Sequence, residues 1–305
     1  MESKTSVVAV AGGTGFVGSA IARELAMRGH KAIVLSHRGT AADSIAALDY
    51  RPADVTRPVS LVTALVGVDT LVISLGFRNS PVEAPRRGQT FDEVDAEGTK
   101  ALVAAAVQSG VRRLVYMSGA GAAPDAARHW FKAKWRAEES VRQSGIVFTI
   151  FRPSWIYGPG DKSLNRFLGF ARWLPFIPQI GNGRQLLVPV LVSDMAALVA
   201  DSLETPAAEN VTFEVGGPET LTMDEIVRAA LTASGRRRPI LHAPAVLMRL
   251  VTRPLTLLPT PPMTPDAIDF IVASAPVDTD LLRQRFPRRL MPLAEGLATY
   301  LSPRR

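Results

Sequence analysis

The feature that most narrows what this chain can become is a glycine-rich turn directly behind an apolar run. Residues 6–11 read SVVAVA, apolar without alternation, as a strand buried on both faces does. Gly12-Gly13-Thr14-Gly15-Phe16-Val17-Gly18 follows at once, and residues 16–28 then carry Val17, Ile21 and Leu25 on one helical stripe. The spacing G-x-x-G-x-x-G between strand and helix has a specific use. Gly12 permits the tight turn, Gly15 lets the backbone approach a pyrophosphate, and Gly18 lets helix and strand pack closely. A helix opening there aims unpaired N–H groups and its positive dipole end at an anion. Glycines alone usually mark a turn. The strand before, the helix after and a second apolar run at 31–36 together point to a dinucleotide cradle made by Gly12, Thr14, Gly15, Phe16, Val17 and Gly18.

The same rhythm continues. Further strands are expected at 69–75, 113–118 and 147–151, with helices near 59–66, 92–109 and 131–144 between them. Gly29, Gly110 and Gly145 stand where helices should close. This order predicts an α/β fold, a doubly wound parallel sheet of Rossmann type with helices on both faces. Past residue 158 the regularity breaks. Residues 210–216 (NVTFEVG) read as one more strand, and Thr222 with Glu225 forms a capping box that opens a helix through Ala233. Prolines crowd the rest, so helices there should be short. The expected organisation is a dinucleotide-binding domain of residues 1–158 plus about 191–233, and a smaller, mostly helical lobe of about 159–190 plus 234–305.

Composition removes several classes. The 305 residues include no cysteine, which excludes a disulfide scaffold, a thiolate nucleophile and cysteine-ligated metal. The four histidines (His30, His37, His129, His242) show no ligand spacing, so no metal is expected. A net charge of +7 comes from 29 arginines and six lysines that are spread along the chain, without a nucleic-acid-binding signature, so no nucleic acid is expected. The amino terminus is polar and no apolar run approaches a membrane span, which makes the cytoplasm the expected location. Residues 166–178 (RFLGFARWLPFIP) and 243–258 (APAVLMRLVTRPLTLL) allow two readings. They are the core of the lobe with arginine stems at its edge, or a mouth for an apolar small molecule resting peripherally on an anionic membrane surface.

Ser36-His37-Arg38 ends the second strand without the carboxylate that would hold the ribose of NAD. Arg38 can pair with a 2′-phosphate, so NADP(H) is expected ahead of NAD(H); the alternative is a solvated loop arginine.

On these residues the chain resembles the extended and atypical short-chain dehydrogenase/reductases. It is nearest to the subgroup that contains the nucleotide-binding accessory subunit of respiratory complex I and related proteins of quinone metabolism. The resemblance implies that Asp54 and Val55 face the adenine and that Leu75 and Gly76 line the cofactor. It matches Asp95-Ala96-Glu97-Gly98-Thr99 to the family's helix motif, makes Ser118 at the end of the fifth strand a cofactor contact, and likens Arg152-Pro153-Ser154 with Tyr157-Gly158-Pro159 to the turn that holds the nicotinamide end. Val192–Ala196 and Gly216-Gly217-Pro218 are its landmarks on the lobe side. Two positions depart from it. The family's catalytic tyrosine stands four residues before its lysine, yet Trp130 precedes Lys134 at that spacing, and the serine or threonine position beyond Ser118 holds Ala120. An indole donates a hydrogen bond but does not titrate. Lys134 is then either a holder of the nicotinamide ribose or a solvated helix lysine paired with Glu138. Asp194 reads as a helix N-cap rather than a reactive group. Two functions remain open. One is an NADPH-dependent reductase or isomerase of an apolar small molecule, with substrate or water supplying the proton. The other is a non-catalytic NADPH-binding structural or regulatory protein.

Overall fold

Successive residues of a strand point to opposite faces of its sheet, and this chain keeps both faces apolar. In β1 (Val7–Ala11) Val8 and Val10 enter one core cluster, while Ala9 and Ala11 enter another. In β2 (Lys31–Ser36) Ala32 and Val34 part from Ile33 and Leu35 in the same way. A sheet covered on both sides is the result. The computed structural model describes residues 5–36, 48–55, 58–77 and 79–301.

The main sheet adds β3 (Asp49–Pro52), β4 (Thr70–Ile73), β5 (Arg113–Met117) and β6 (Val147–Pro153). The short β7 (Trp155–Tyr157), β8 (Ile177–Ile180), β9 (Leu186–Leu187) and β10 (Pro189–Leu191) lie outside it. With β11 (Val211–Val215) the sheet has seven strands in the order β11-β6-β5-β4-β1-β2-β3, and every pairing is parallel. The doubly wound sheet is as expected. Of the seven strands of this sheet, only β3 is not expected from the sequence: its DYRP lies half-exposed at the sheet edge and has no apolar pattern to announce it.

Helices α1 (Phe16–Met27) and α6 (Val192–Glu204) cover one face. Ile21, Leu25, Met195 and Val199 are buried there, each worth about 1.5–3 kcal/mol. Helices α2 (Pro58–Ala64), α3 (Gly98–Gln108) and α4 (His129–Arg142) cover the other. The helix expected over 92–109 is divided, because Phe91–Glu97 winds with the wider turns of a π-helix before α3 begins. Gly29, Gly110 and Gly145 all adopt positive φ behind their helices, as anticipated.

A third core cluster gathers α5 (Leu164–Trp173), β8 and α7 (Met223–Ala233), the helix that the Thr222–Glu225 capping box opens. Two further short strands pair here, β12 (Leu221–Thr222) with β9 and β13 (Ile240–Ala243) with β8. The remaining helices are short: α8 (Ala245–Thr252), α9 (Pro265–Ile271), α10 (Asp280–Arg285) and α11 (Leu293–Ala298).

The C-terminal segment is strapped across by carboxylates. Asp194 does not cap α6: it lies in the first turn, and its Oδ2 accepts from the Met291 amide at 2.7 Å. Glu219 accepts from the Leu293 amide at 2.7 Å. Asp201 of α6 joins Arg28 (2.6 Å), which caps the end of α1, to Arg288 (2.8 Å). Burial alone would raise the Asp201 carboxyl, but hydrogen bonds from Arg288 and Arg28 outweigh it and hold the pKa below its ordinary value. A lowered folded pKa stabilises above the ordinary carboxylate range, and the gain is lost as pH falls through the lowered value. Asp201→Asn should therefore cost about 1–2 kcal/mol at pH 7. Thermal melts of the two proteins should converge as the pH drops below 3.8; a gap that stays constant with pH would show the charge to be irrelevant.

Candidate functional site

The C-terminal ends of the parallel strands meet along one edge, and the strand order turns outward in both directions from the β1–β4 boundary. That is where open α/β sheets hold ligands. Gly12 has φ +79°, and a side chain there would place its Cβ 2.1 Å from the Ser74 carbonyl oxygen, just beyond β4. A Cβ on Gly18 would come 2.3 Å from the Gly12 carbonyl oxygen. Both glycines are required by the fold. Gly15 differs: its φ is −81°, it is exposed, and an added Cβ would meet only the Gly12 oxygen, at 3.1 Å. What its bareness protects is the space in front of α1. No side chain caps that helix and no acidic residue lies in its first turn, so its first N–H groups and positive dipole end are offered outward. This is a fit for the pyrophosphate of a dinucleotide.

Other expected residues converge on the same edge. Val55 and Leu75 each approach to 3.3 Å the point where a Gly98 Cβ would stand, so the segments after β3 and β4 meet over the start of α3. The Asp54 amide donates to the Ser60 hydroxyl at 3.3 Å, which fixes its segment ahead of α2. Gly76 is exposed, with open space where its side chain would be. The Phe16 ring lies beside Gly158 and Gly160, bringing the turn after β7 against the cradle. Arg38 lies outside the described residues.

Lys134 is neither solvated nor paired with Glu138. Its Nζ is 2.6 Å from Asp95 Oδ1, donates to the Met117 carbonyl at 3.3 Å, and lies 5.5 Å from the centre of the Tyr116 ring. Burial works to neutralise this ammonium, but the neighbouring Asp95 carboxylate and Tyr116 outweigh it and raise the pKa above the ordinary lysine range. The Tyr116 phenol is buried and its pKa is pushed up by that burial, which makes it a weak proton donor. Asp95, 39 residues before Lys134 in sequence, is a partner that helical spacing could not reveal.

Ser118, expected among the cofactor contacts, is tied into the fold. Its hydroxyl donates to Glu138 Oε1 at 2.6 Å and its amide donates to the Phe151 carbonyl at 2.8 Å. Glu138 is fully buried and accepts two bonds from Arg152 (2.8 and 2.6 Å) and one from Arg142 (2.5 Å). The Ser118 hydroxyl is thus committed to a lock between α4, β5 and β6. That lock fixes the strand end at Pro153, whose carbonyl accepts from the Ala120 amide at 3.0 Å.

Trp130 is 2% exposed and packs with Phe77, Phe91 and Ala133. Phe270, from α9, closes on it with ring centres 5.5 Å apart. Asp269 next to Phe270 pairs with Arg128 at 2.7 Å and with Arg249 at 2.6 Å, latching α9 to the start of α4 and to α8. The indole N–H is buried without an acceptor among the described residues. At the lip of this cluster the His129 ring meets Glu83 at 2.9 Å, and the other Glu83 oxygen accepts from the Phe91 amide at 2.8 Å. No local pattern in the sequence announces that pair, because its members are 46 residues apart.

The glycines should separate in experiment. Gly15→Ala should keep its melting temperature within a few degrees yet weaken NAD(P)H binding by ~1.4 kcal/mol or more, a factor of about ten, in calorimetric titration. Gly12→Ala and Gly18→Ala should each cost roughly 3 kcal/mol of stability or more. Unchanged affinity in Gly15→Ala would remove the pyrophosphate from this turn.

Comparison with known proteins agrees with this geometry. A family model described as NAD(P)H-binding matches residues 12–168. A mitochondrial NADH dehydrogenase [ubiquinone] 1 alpha subcomplex subunit 9 of Arabidopsis thaliana is 28% identical over 234 residues, 72% of this chain but only 56% of the plant protein. An NAD(P)H azoreductase of Xenophilus azovorans is 27% identical over 278 residues, 89% of this chain and 88% of the other. Among solved structures, an NADPH-dependent quinone oxidoreductase from Escherichia coli complexed with NADPH superimposes with a TM-score of 0.72 at 20% identity, covering 96% and 99% of the two chains, a likeness of fold. The chain belongs to the NAD(P)H-binding family, on the fold of the short-chain dehydrogenase/reductases.

Proposed function

We propose that this chain is an NAD(P)H-dependent reductase whose acceptor is an apolar, conjugated small molecule that takes its proton from water. The observation that carries the reading is Trp130 at the spacing where a catalytic phenol would stand, with Ala120 as the second replacement. Around that indole pack Phe77, Phe91 and Phe270. Aromatic surroundings and no phenol at this position suit an acceptor that needs a hydride more than an acid. NAD(P)H, when bound, supplies that hydride. In this reading Gly12, Thr14, Gly15, Phe16, Val17 and Gly18 hold the pyrophosphate, and Asp54 and Val55 flank the adenine. Leu75, Gly76 and Pro153 line the path to the nicotinamide, where Lys134 holds the ribose. The similarity to an azoreductase over most of both chains supports the class.

A second reading has its own observation. Trp130 is closed over by Phe270 and almost wholly buried, which favours a chain that holds NAD(P)H without turning it over. The similarity to a respiratory-complex subunit is in keeping with that.

The division into residues 1–158 plus about 191–233 and a lobe of about 159–190 plus 234–305 belongs to the same proposal, with the apolar face of α7 turned to the lobe cluster. So does the place of work. No helix among the described residues is long and apolar enough to cross a membrane. An apolar acceptor partitions into lipid, and we place this chain in peripheral contact with the anionic inner face of a membrane.

Cofactor oxidation followed with quinone and azo acceptors tests the reading. Turnover is expected with these and absent with sugar nucleotides. NADPH should bind more tightly than NADH, and Arg38→Ala should cost NADPH ~1.5–3 kcal/mol. Bound NADPH that no apolar acceptor oxidises would decide for the second reading. Equal affinities for the two cofactors would remove the role of Arg38.

A further inference from the structure

The membrane contact just proposed can be assigned to one surface, and the assignment rests on that reading. Helix α8 is built inside out. Its more buried stripe is Ala245, Met248, Arg249 and Thr252, with Thr252 buried and the Arg249 guanidinium paired to Asp269 of α9. The exposed stripe is aliphatic: Val246, Leu247, Leu250 (68% exposed) and Val251. The 3₁₀ turn Arg253–Leu257 that follows adds Leu257 (79% exposed), and Leu258 comes after it. A surface helix ordinarily turns its apolar stripe to the core and its polar stripe to water. Exposed aliphatic side chains gathered on one element mark a contact rather than scatter.

Charge says what kind of contact. Arg253 is exposed at the C-terminal end of the face. Strand β13, which leads into α8, carries the exposed Leu241 and follows the exposed Arg237 and Arg238. Arg238 donates to the Leu174 carbonyl at 3.2 Å, tying this stretch to the end of α5. There Trp173 is 82% exposed, with the Arg172 guanidinium 5.9 Å from its ring centre. The residue 166–178 stretch thus divides: Phe167, Leu168 and Phe170 pack against the lobe cluster, and Trp173 faces water. Aliphatic surface flanked by arginines, with a tryptophan nearby, has the composition of an element lying at a lipid interface. A second copy of the chain fits less well. An eight-residue helix is about 12 Å long, so with its turn it offers roughly a few hundred Å². A stable pair buries about 800 Å² on each side.

We infer that α8 and the turn to Leu258 lie in the headgroup–acyl boundary of an anionic bilayer, with Arg237, Arg238, Arg253 and Trp173 at headgroup level. Flotation of the full chain with phosphatidylcholine vesicles, with and without phosphatidylglycerol, tests this. Binding is expected only with phosphatidylglycerol, should fall as salt rises, and should drop about tenfold or more in Leu247→Gln/Leu250→Gln and in Arg237→Glu/Arg238→Glu. These side chains are exposed, so the melting temperature should hold. Val107→Gln, on the exposed side of α3, should bind as the wild type does. Binding that survives the leucine changes would leave the membrane contact standing and overturn its assignment to α8. No binding to either vesicle would overturn both. A solution dimer that the leucine changes dissociate, without vesicle binding, would show that the face joins copies and would overturn the inference.

Discussion

The close approach of two backbones at the middle of the sheet is the constraint on which the rest depends. The turn after β1 runs so near the Ser74 carbonyl that only glycine fits at residue 12, and α1 packs so near that turn that only glycine fits at residue 18. These two contacts bring the start of α1 over the strand ends without a capping side chain or a neighbouring carboxylate. Gly15, which the fold would let carry a small side chain, keeps the approach open. An anion-binding helix end is therefore built before any ligand contact is considered.

Around this cradle, buried charge sets geometry rather than reactivity. Lys134 is held by Asp95, and Glu138 gathers Arg142, Arg152 and Ser118. Removing one member of such a group strands the others in a dry interior, which is costly. In the proposed reading, the positions where the resemblance would put proton-exchanging groups hold an indole, Trp130, and a methyl, Ala120. Catalysis in such a site would rest on holding cofactor and acceptor face to face, an effect of position more than of acid–base chemistry.

What the sequence could show follows from range. Local signals were legible: the glycine turn, the continuous apolar strands, the left-handed glycines behind three helices and the Thr222–Glu225 box. Signals that join distant residues were not. Asp95 meets Lys134, Glu83 meets His129, and Asp194 straps Met291 only once the chain has folded. Strand β3 escaped because an edge strand need not be apolar. The 243–258 stretch was readable as apolar, but only the fold shows that Arg249 turns inward to Asp269 and leaves the leucines outside.

In the proposed reading this cradle presents NAD(P)H to an apolar acceptor at a site where no protein phenol takes part. The most direct measurement is single-turnover oxidation of protein-bound NADPH by an apolar quinone, followed through the nicotinamide absorbance in wild type and in Trp130→Phe. Oxidation is expected in both, with rates within a few-fold, because an indole and a phenyl ring differ here in packing and not in proton transfer. Loss of the reaction by orders of magnitude in Trp130→Phe, or no oxidation in the wild type, would contradict that reading.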